Sequence, residues 1–311
     1  MKIAYIILAH KYPEQLTRLI HRLNTETSSF FIHIDQKADQ EIYNQIVTQL
    51  STLPNVYFLK KYNTYWGSFN LVKATFEGIK EIFSRRIDFD YVVFLSGQDY
   101  PIKSNSQIEK FLLKNEGKEF IEYQPLPGDN WKDENFTINV DRIECWFING
   151  RLVKHDWIAL PPNSSLKLRA FLSLSSFLIR LNILRRKRKF PEGFKPFCGS
   201  AFWCFSKECA QYINNFIKQN PAFINFFKFA GISDEVFFQT IILNSPFKEQ
   251  VINDDLKYVV WPGPATLGKN DLENLINSSD LFARKFDATI DEEILDLIDQ
   301  KILNVNCELK T

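Results

Sequence analysis

Two adjacent acids, Asp234 and Glu235, open an apolar segment in the run Gly231-Ile-Ser-Asp-Glu-Val-Phe-Phe-Gln-Thr-Ile-Ile-Leu-Asn-Ser245. The pattern predicts a helix with Ser233 as its N-cap. Both acids then fall in the first turn, where the positive end of the helix dipole favours carboxylates. Val236, Phe237, Phe238, Ile241, Ile242 and Leu243 would bury the helix body. A carboxylate held on so rigid an element keeps its geometry and can act as a general base. An ordinary acidic helix start has the same pattern, and this segment alone does not choose between them.

Bulk properties narrow the field. The chain has 311 residues and is 45% hydrophobic, enough for a large core and for a single large α/β domain. A formal net charge of +1 argues against an electrostatic nucleic-acid binder. Five cysteines, an odd number, give no disulfide framework. Cys198, Cys204 and Cys209 lack the spacing of paired zinc ligands, and no two of the four histidines have metal-ligand spacing. Residues 2–9 are apolar but too short to span a membrane and lack a signal-peptide layout, so they read as a buried strand. The expectation is a soluble, cytoplasmic protein.

The first half alternates strand and helix patterns. Strands are predicted over 3–8, 30–34, 56–59, 91–95 and 120–123, with helices at 13–23, 42–50, 71–83 and 106–113 between them. This order implies a mostly parallel sheet with helices on both faces. Such sheets bind ligands at the carboxyl ends of their strands, where Asp35, Asp99 and the loop after residue 95 fall. Trp66-Gly67-Ser68 opens a helix whose backbone amides could face a phosphate, or is simply a helix start. Further on, 199–206 reads as a strand, with Ser206 capping a helix over 207–217, and 258–262 reads as another strand. Between them, an apolar tract at 166–184 runs into Arg185-Arg-Lys-Arg-Lys189. It is either a helix on an anionic membrane surface or a core helix with a solvated basic end.

Six pieces taken in order resemble one family: His33-Ile-Asp35, Trp66-Gly-Ser68, Leu95-Ser-Gly-Gln-Asp-Tyr-Pro-Ile102, Gly199-Ser-Ala-Phe-Trp203, Ser233-Asp-Glu235 and Leu281-Phe-Ala-Arg-Lys-Phe-Asp287. Their order and spacing are similar to those of the core-2/I-branching N-acetylglucosaminyltransferases, which include the peptide O-xylosyltransferases. The resemblance implies one GT-A type α/β domain over 1–311, with a nucleotide-binding half to about 125 and an acceptor and catalytic half from about 126. It also implies an inverting transfer from a UDP-sugar, with N-acetylglucosamine expected and xylose as the alternative. The acceptor would be a glycan hydroxyl, free or lipid-linked, in a bacterial polysaccharide pathway, with peripheral contact at the inner membrane face.

The resemblance also implies roles. Glu235 matches the general base and Asp234 its orienting neighbour at the acceptor side. Lys285 matches the phosphate-binding lysine, with Arg284 beside it, so no metal cofactor is expected. Asp35, Asp99 and Ser200 would bind the donor, and Glu122 and Trp203 the acceptor, with Trp261 a further stacking candidate. One departure stands out: animal members carry an arginine upstream of the lysine, and residues 258–264 contain none. Lys257 and Lys269 are the candidates to replace it. Asp88-Phe-Asp90 spells the Asp-x-Asp triplet by which many glycosyltransferases hold a metal. It precedes a strand, however, and should lie at the wrong edge of the sheet. Two other readings remain, a metal-dependent GT-A transferase and a non-catalytic glycan- or nucleotide-binding protein.

Overall fold

The computed structural model describes residues 1–126, 141–148, 151–153 and 188–304. The tract at 166–184 and residues 185–187 lie outside these, so the reading of a membrane-facing helix is not addressed. Among the described residues, no helix is long and apolar enough to cross a membrane.

The chain opens with β1 (Ile3–Ala9), α1 (Pro13–Leu23), β2 (Ser28–Ile34), α2 (Gln40–Leu50), β3 (Val56–Phe58), α3 (Phe69–Ser84) and β4 (Tyr91–Ser96). β5 (Tyr100–Pro101), α4 (Asn105–Lys114), β6 (Glu119–Ile121), β7 (Gln124–Pro125), α5 (Asp141–Glu144), β8 (Trp146–Ile148) and β9 (Arg151–Val153) follow. Later come β10 (Phe197–Cys198), β11 (Trp203–Ser206), α6 (Lys207–Gln219), α7 (Pro221–Phe227) and α8 (Phe237–Leu243). The last elements are β12 (Val251–Ile252), β13 (Lys257–Val259), α9 (Leu272–Asn277), β14 (Phe282–Arg284) and α10 (Glu293–Ile298).

Among the described residues a central sheet runs in the order β12-β6-β11-β4-β1-β2-β3. Its strands are parallel except β11, which pairs antiparallel with β4 and β6. The alternation along β1 divides the core. Ile3, Tyr5 and Ile7 face one apolar layer, with Leu16, Leu19, Ile46 and Leu112 from α1, α2 and α4. Ala4 and Ile6 face the other, with Val72, Ile79, Phe227 and Phe237 from α3, α7 and α8. This is the expected three-layer α/β arrangement.

A small sheet, β13-β14-β5, lies beside the main one. Tyr100 pairs with Ala283 and Val259 with Arg284, so Asp99, Lys257 and Arg284 are brought to one place. Their separation in sequence hides this juxtaposition.

Two local expectations need correction. The long helix predicted from Ser233 begins instead as a 3-10 turn, Ser233–Glu235, followed by α8. Ser233 is no N-cap: its hydroxyl donates to the carbonyls of Phe227 (3.0 Å) and Ala230 (2.8 Å) and is fully buried. The hydroxyl thus ties the turn back to the end of α7. The strand predicted over 199–206 is cut to β11, and Gly199 N–H donates to the Glu235 carbonyl at 2.8 Å rather than to a neighbouring strand. Ser206 does cap α6, accepting from Cys209 N–H at 3.2 Å.

Candidate active site

The carboxyl ends of the parallel strands meet at one cleft of about 530 Å³. His10 follows β1, Ser96 ends β4 and Glu122 follows β6, and all three line it. Asp234 and Glu235 on the 3-10 turn, and Arg284 and Lys285 at the end of β14, line the same cleft. The acid and the cation therefore reach one cavity.

The acid end is built around a backbone junction. Gly199 N–H donates to the Glu235 carbonyl at 2.8 Å, and a Cβ on Gly199 would come within 1.8 Å of the Glu122 carbonyl oxygen. Only glycine allows this approach, which packs the Glu122 and Glu235 segments together. Arg142, buried on α5, donates from Nη1 to Glu235 Oε2 at 2.8 Å. Burial pushes the Glu235 carboxyl above its usual range, and Arg142 only partly offsets this. Asp234 is pushed up to about 7, by burial first and then by the Glu235 charge. Its Oδ1 is buried with no hydrogen-bond partner. Two adjacent carboxyls with raised affinity for protons suit proton abstraction near neutral pH.

The cationic end has three basic groups. Lys257, the candidate to replace the missing arginine, lines the cleft, and its ammonium pairs with the Asp99 carboxylate. Arg284 Nε lies 3.4 Å from the same carboxylate without hydrogen-bond alignment. Both cations cover the ring of Phe202, at 3.9 Å for Lys257 and 4.3 Å for Arg284. Burial acts against ionised Asp99, but Lys257, Arg284 and the Ser96 N–H together hold it below the usual carboxylate range. Burial pulls Lys257 down, and Asp99 compensates in part. We regard the pair as charged, because Ser96 N–H and hydroxyl also donate to Asp99 at 2.9 and 2.8 Å. Two cations and one carboxylate leave a net positive charge facing the cavity. Lys285 adds another, its pKa lowered by burial and then by neighbouring Lys11 and Arg284. Lys269 is not part of the site and pairs with Glu293 on the surface at 2.7 Å.

The remaining candidates divide. Glu122 and Ser200 line the cleft. Asp99 is fully buried and reaches the cavity only through the cations it holds. Asp35 is also buried: its carboxylate accepts from the Thr64 hydroxyl and from Lys37 N–H at 2.8 Å, so it braces Thr64, which does line the cleft. Trp203 offers no face to a sugar. It is 1% exposed and stacked on Phe205 with ring centroids 4.4 Å apart, so it belongs to the core. Trp66 and Trp261 line the cleft instead, Trp66 placed by Gly67 in a left-handed turn (φ 70°) ahead of α3. Asp88 lies across the sheet, paired with Lys2 (2.5 Å) and Lys207 (3.0 Å). Asp90 accepts the Lys2 N–H at 2.7 Å.

Sequence reasoning passed over Asp255, which lies just ahead of β13. It lines the cleft, is bonded to Ser200, and burial pushes it up to about 6. Arg142 was also missed. It is separated from Glu235 by 93 positions, and nothing in its local pattern marks it.

Comparison with known proteins places this geometry. Residues 3–277 match the family described as "Core-2/I-Branching enzyme". Xylosyltransferase 2 of Rattus norvegicus is 23% identical over 96% of this chain and 33% of its own length. Xylosyltransferase 2 of Homo sapiens is 22% identical over 96% and 33%, and the xylosyltransferase of Ciona intestinalis 20% over 97% and 34%. The chain thus spans about a third of the length of these relatives. Among solved structures, 4-diphosphocytidyl-2C-methyl-D-erythritol synthase of Anaerococcus prevotii aligns over 80% of this chain and 96% of its own, at 14% identity and a TM-score of 0.33, too distant to bear on the site. The mostly parallel sheet flanked by helices agrees with a GT-A-like glycosyltransferase fold, and a family match running from the first strand to the ninth helix settles the assignment. The chain belongs to the core-2/I-branching enzyme family of glycosyltransferases.

Proposed function

We propose that the chain transfers a sugar, with inversion, from a UDP-linked donor to a hydroxyl of a glycan. The observation that carries this is the shared cleft of Glu235 and Lys285, the acid beside Glu122 and Arg142, the cation beside His10 and Lys11. Arg142 holds Oε2 of Glu235 and leaves Oε1 to take the proton from the acceptor hydroxyl. The acceptor oxygen attacks the anomeric carbon as the bond to the β-phosphate oxygen breaks, and UDP departs with the electron pair. Charge grows on the leaving diphosphate, and preorganised cations stabilise it most effectively where charge develops. Lys285 and Arg284 supply that charge, with Lys257 as the second basic side chain that residues 258–264 lack. We assign no metal to the reaction, and loss of turnover in excess chelator would reverse this assignment.

The donor sugar is proposed as N-acetylglucosamine. Xylose is the second reading, favoured by the names of the relatives. Thermal stabilisation and slow hydrolysis across a panel of UDP-sugars separate the two. The main test is Glu235→Gln. Turnover should fall by about three orders of magnitude while UDP-sugar affinity persists, because the carboxylate acts in the transition state. A rate within a few-fold of the parent would mean that Glu235 is not the base, whereas a parent that turns over no UDP-sugar yet binds one would leave a glycan- or nucleotide-binding protein as the better account.

A further inference from the structure

Gln15 is a polar side chain on the otherwise apolar buried face of α1, among Leu16, Leu19, Ile20 and Leu23. An amide in such a place is costly unless its donors and its acceptor are used. They are used on two loops at the carboxyl edge of the sheet. Nε2 donates to the Gly97 carbonyl at 3.1 Å and to the Phe286 carbonyl at 3.3 Å, and Oε1 accepts the Ala288 N–H at 3.0 Å. Resting on the transfer reading above, we infer that Gln15, together with Gln98, is a positioning residue for Lys285. It fixes the backbone just beyond that lysine, and so the place of the ammonium that meets the diphosphate.

The need for such a fastening follows from where β14 stops. Its pairing with β13 ends at Arg284. Beyond that point the Lys285 N–H donates to the Ala265 carbonyl at 3.4 Å, and its carbonyl accepts the Leu267 N–H at 2.9 Å. The chain then turns into the interior, where Phe286 is fully buried and its N–H donates to the Gln98 carbonyl at 2.9 Å. Among the described residues, the Phe286 carbonyl and the Ala288 N–H have no backbone partner. Side chains supply one. Gln98 Nε2 reaches the Phe286 carbonyl at 3.1 Å, so that oxygen accepts from two buried glutamines, while the Ala288 N–H ends on Gln15. Tyr12, at the head of α1, adds a further tie by donating to Asp287 Oδ2 at 2.5 Å.

The consequence reaches the chemistry because Lys285 adjoins the clamped carbonyl in sequence. A cation stabilises developing charge best when its place is set in advance, and small displacements of such a group are costly. Lys285 also faces like charge from Lys11 and Arg284, which pushes it out of place unless its backbone is held.

The test is a calorimetric titration of the full chain with UDP, well below the melting temperature of each variant. Gln15→Met keeps the length of the side chain and removes every hydrogen bond of the amide. UDP should bind to it about tenfold more weakly than to the parent. In a Lys285→Ala background, Gln15→Met should weaken UDP by about twofold at most, because residues that act through one another are not additive. Gln98→Met removes the second donor to the same carbonyl and should show the same pattern with a loss of about threefold. It carries the test if thermal melts show that Gln15→Met does not fold. A merely structural glutamine would lower the melting temperature and leave UDP affinity within about twofold of the parent, which would overturn the inference. A loss that persists in full beside Lys285→Ala would overturn it as well, since Gln15 would then act through another group. Unchanged UDP affinity in Lys285→Ala alone would strike the phosphate role of the transfer reading and this inference together, and is told apart because Gln15 is intact in that variant.

Discussion

The two ends of the cleft handle charge in opposite ways. At the acid end, Asp234 and Glu235 are adjacent like charges, partly withdrawn from water, with one guanidinium between them and full ionisation. Their affinity for protons rises. At the other end, Lys257, Arg284 and Asp99 form an ion-paired cluster around one phenyl ring, and Asp99 stays ionised despite complete burial. A base needs an unsatisfied carboxylate, and a phosphate clamp needs cations fixed in place without being neutralised. Under-compensation serves the first and near-compensation the second.

The largest expected effect breaks the compensated end. Asp99→Asn leaves the Lys257 ammonium buried without its counter-charge, and removing one partner of a buried pair costs about 3–5 kcal/mol. Chemical denaturation should register the loss, and UDP affinity should fall as the cations shift. A variant as stable as the parent would mean the cluster is not ion-paired. Next in size is Lys285→Ala, which keeps the cluster and removes one phosphate contact. Charged hydrogen bonds are worth about 1.5–3 kcal/mol, so UDP should bind roughly 10- to 100-fold more weakly. Unchanged affinity would shift the phosphate role to Lys257 and Arg284 alone.

How much of this was legible beforehand follows from where the information lies. The βα alternation and strand ends are encoded within short windows, so the sheet, its carboxyl edge and the placement of Asp88 at the far edge were all readable. Glu235 and Lys285 were legible as parts of local motifs, and both reach the cleft. What failed depended on distance in sequence. Trp203 sits in an aromatic motif, yet its neighbours Phe94 and Phe238 come from other strands and helices and enclose it. Ser233 looked like a cap because the carbonyls that capture it belong to the end of α7 and the turn beyond it. Asp255 and Arg142 entered the site only when β13 and α5 were placed against it. Local pattern gives elements and edges, and partnership across elements needs the fold.

A gentler change sharpens the comparison from the acid end. Asp234→Asn replaces a carboxyl that keeps its proton up to about pH 7 beside ionised Glu235, so the acid limb of the kcat/KM profile should stay in place and only the effect of the charge that Asp234 gains above that pH should disappear. Stability should respond too. Folded Asp234 keeps its proton up to about pH 7, against 3.8 for the ordinary group, so between those values the folded state binds more protons than the unfolded one. Its contribution is therefore most favourable at low pH and is lost as pH rises through this window. Thermal melts across it should decline less steeply for the Asn variant. Parallel curves would show that Asp234 is an ordinary exposed carboxylate.

The smallest effect is expected at the opposite edge of the sheet, where Asp88 and Asp90 spell a metal triplet. Asp88 pairs with Lys2 and Lys207 at the surface, and Asp90 accepts the Lys2 N–H, so both are occupied at the strands' amino ends. Exposed pairs of this kind contribute little to stability. Replacing both by Asn should leave turnover within about twofold of the parent, since surface substitutions away from a site usually change little. The variant should also leave unchanged any response of the rate to added manganese or magnesium. A rate that depended on those two aspartates would move the chemistry across the sheet, and the contrast between the two ends of the cleft would lose its functional meaning.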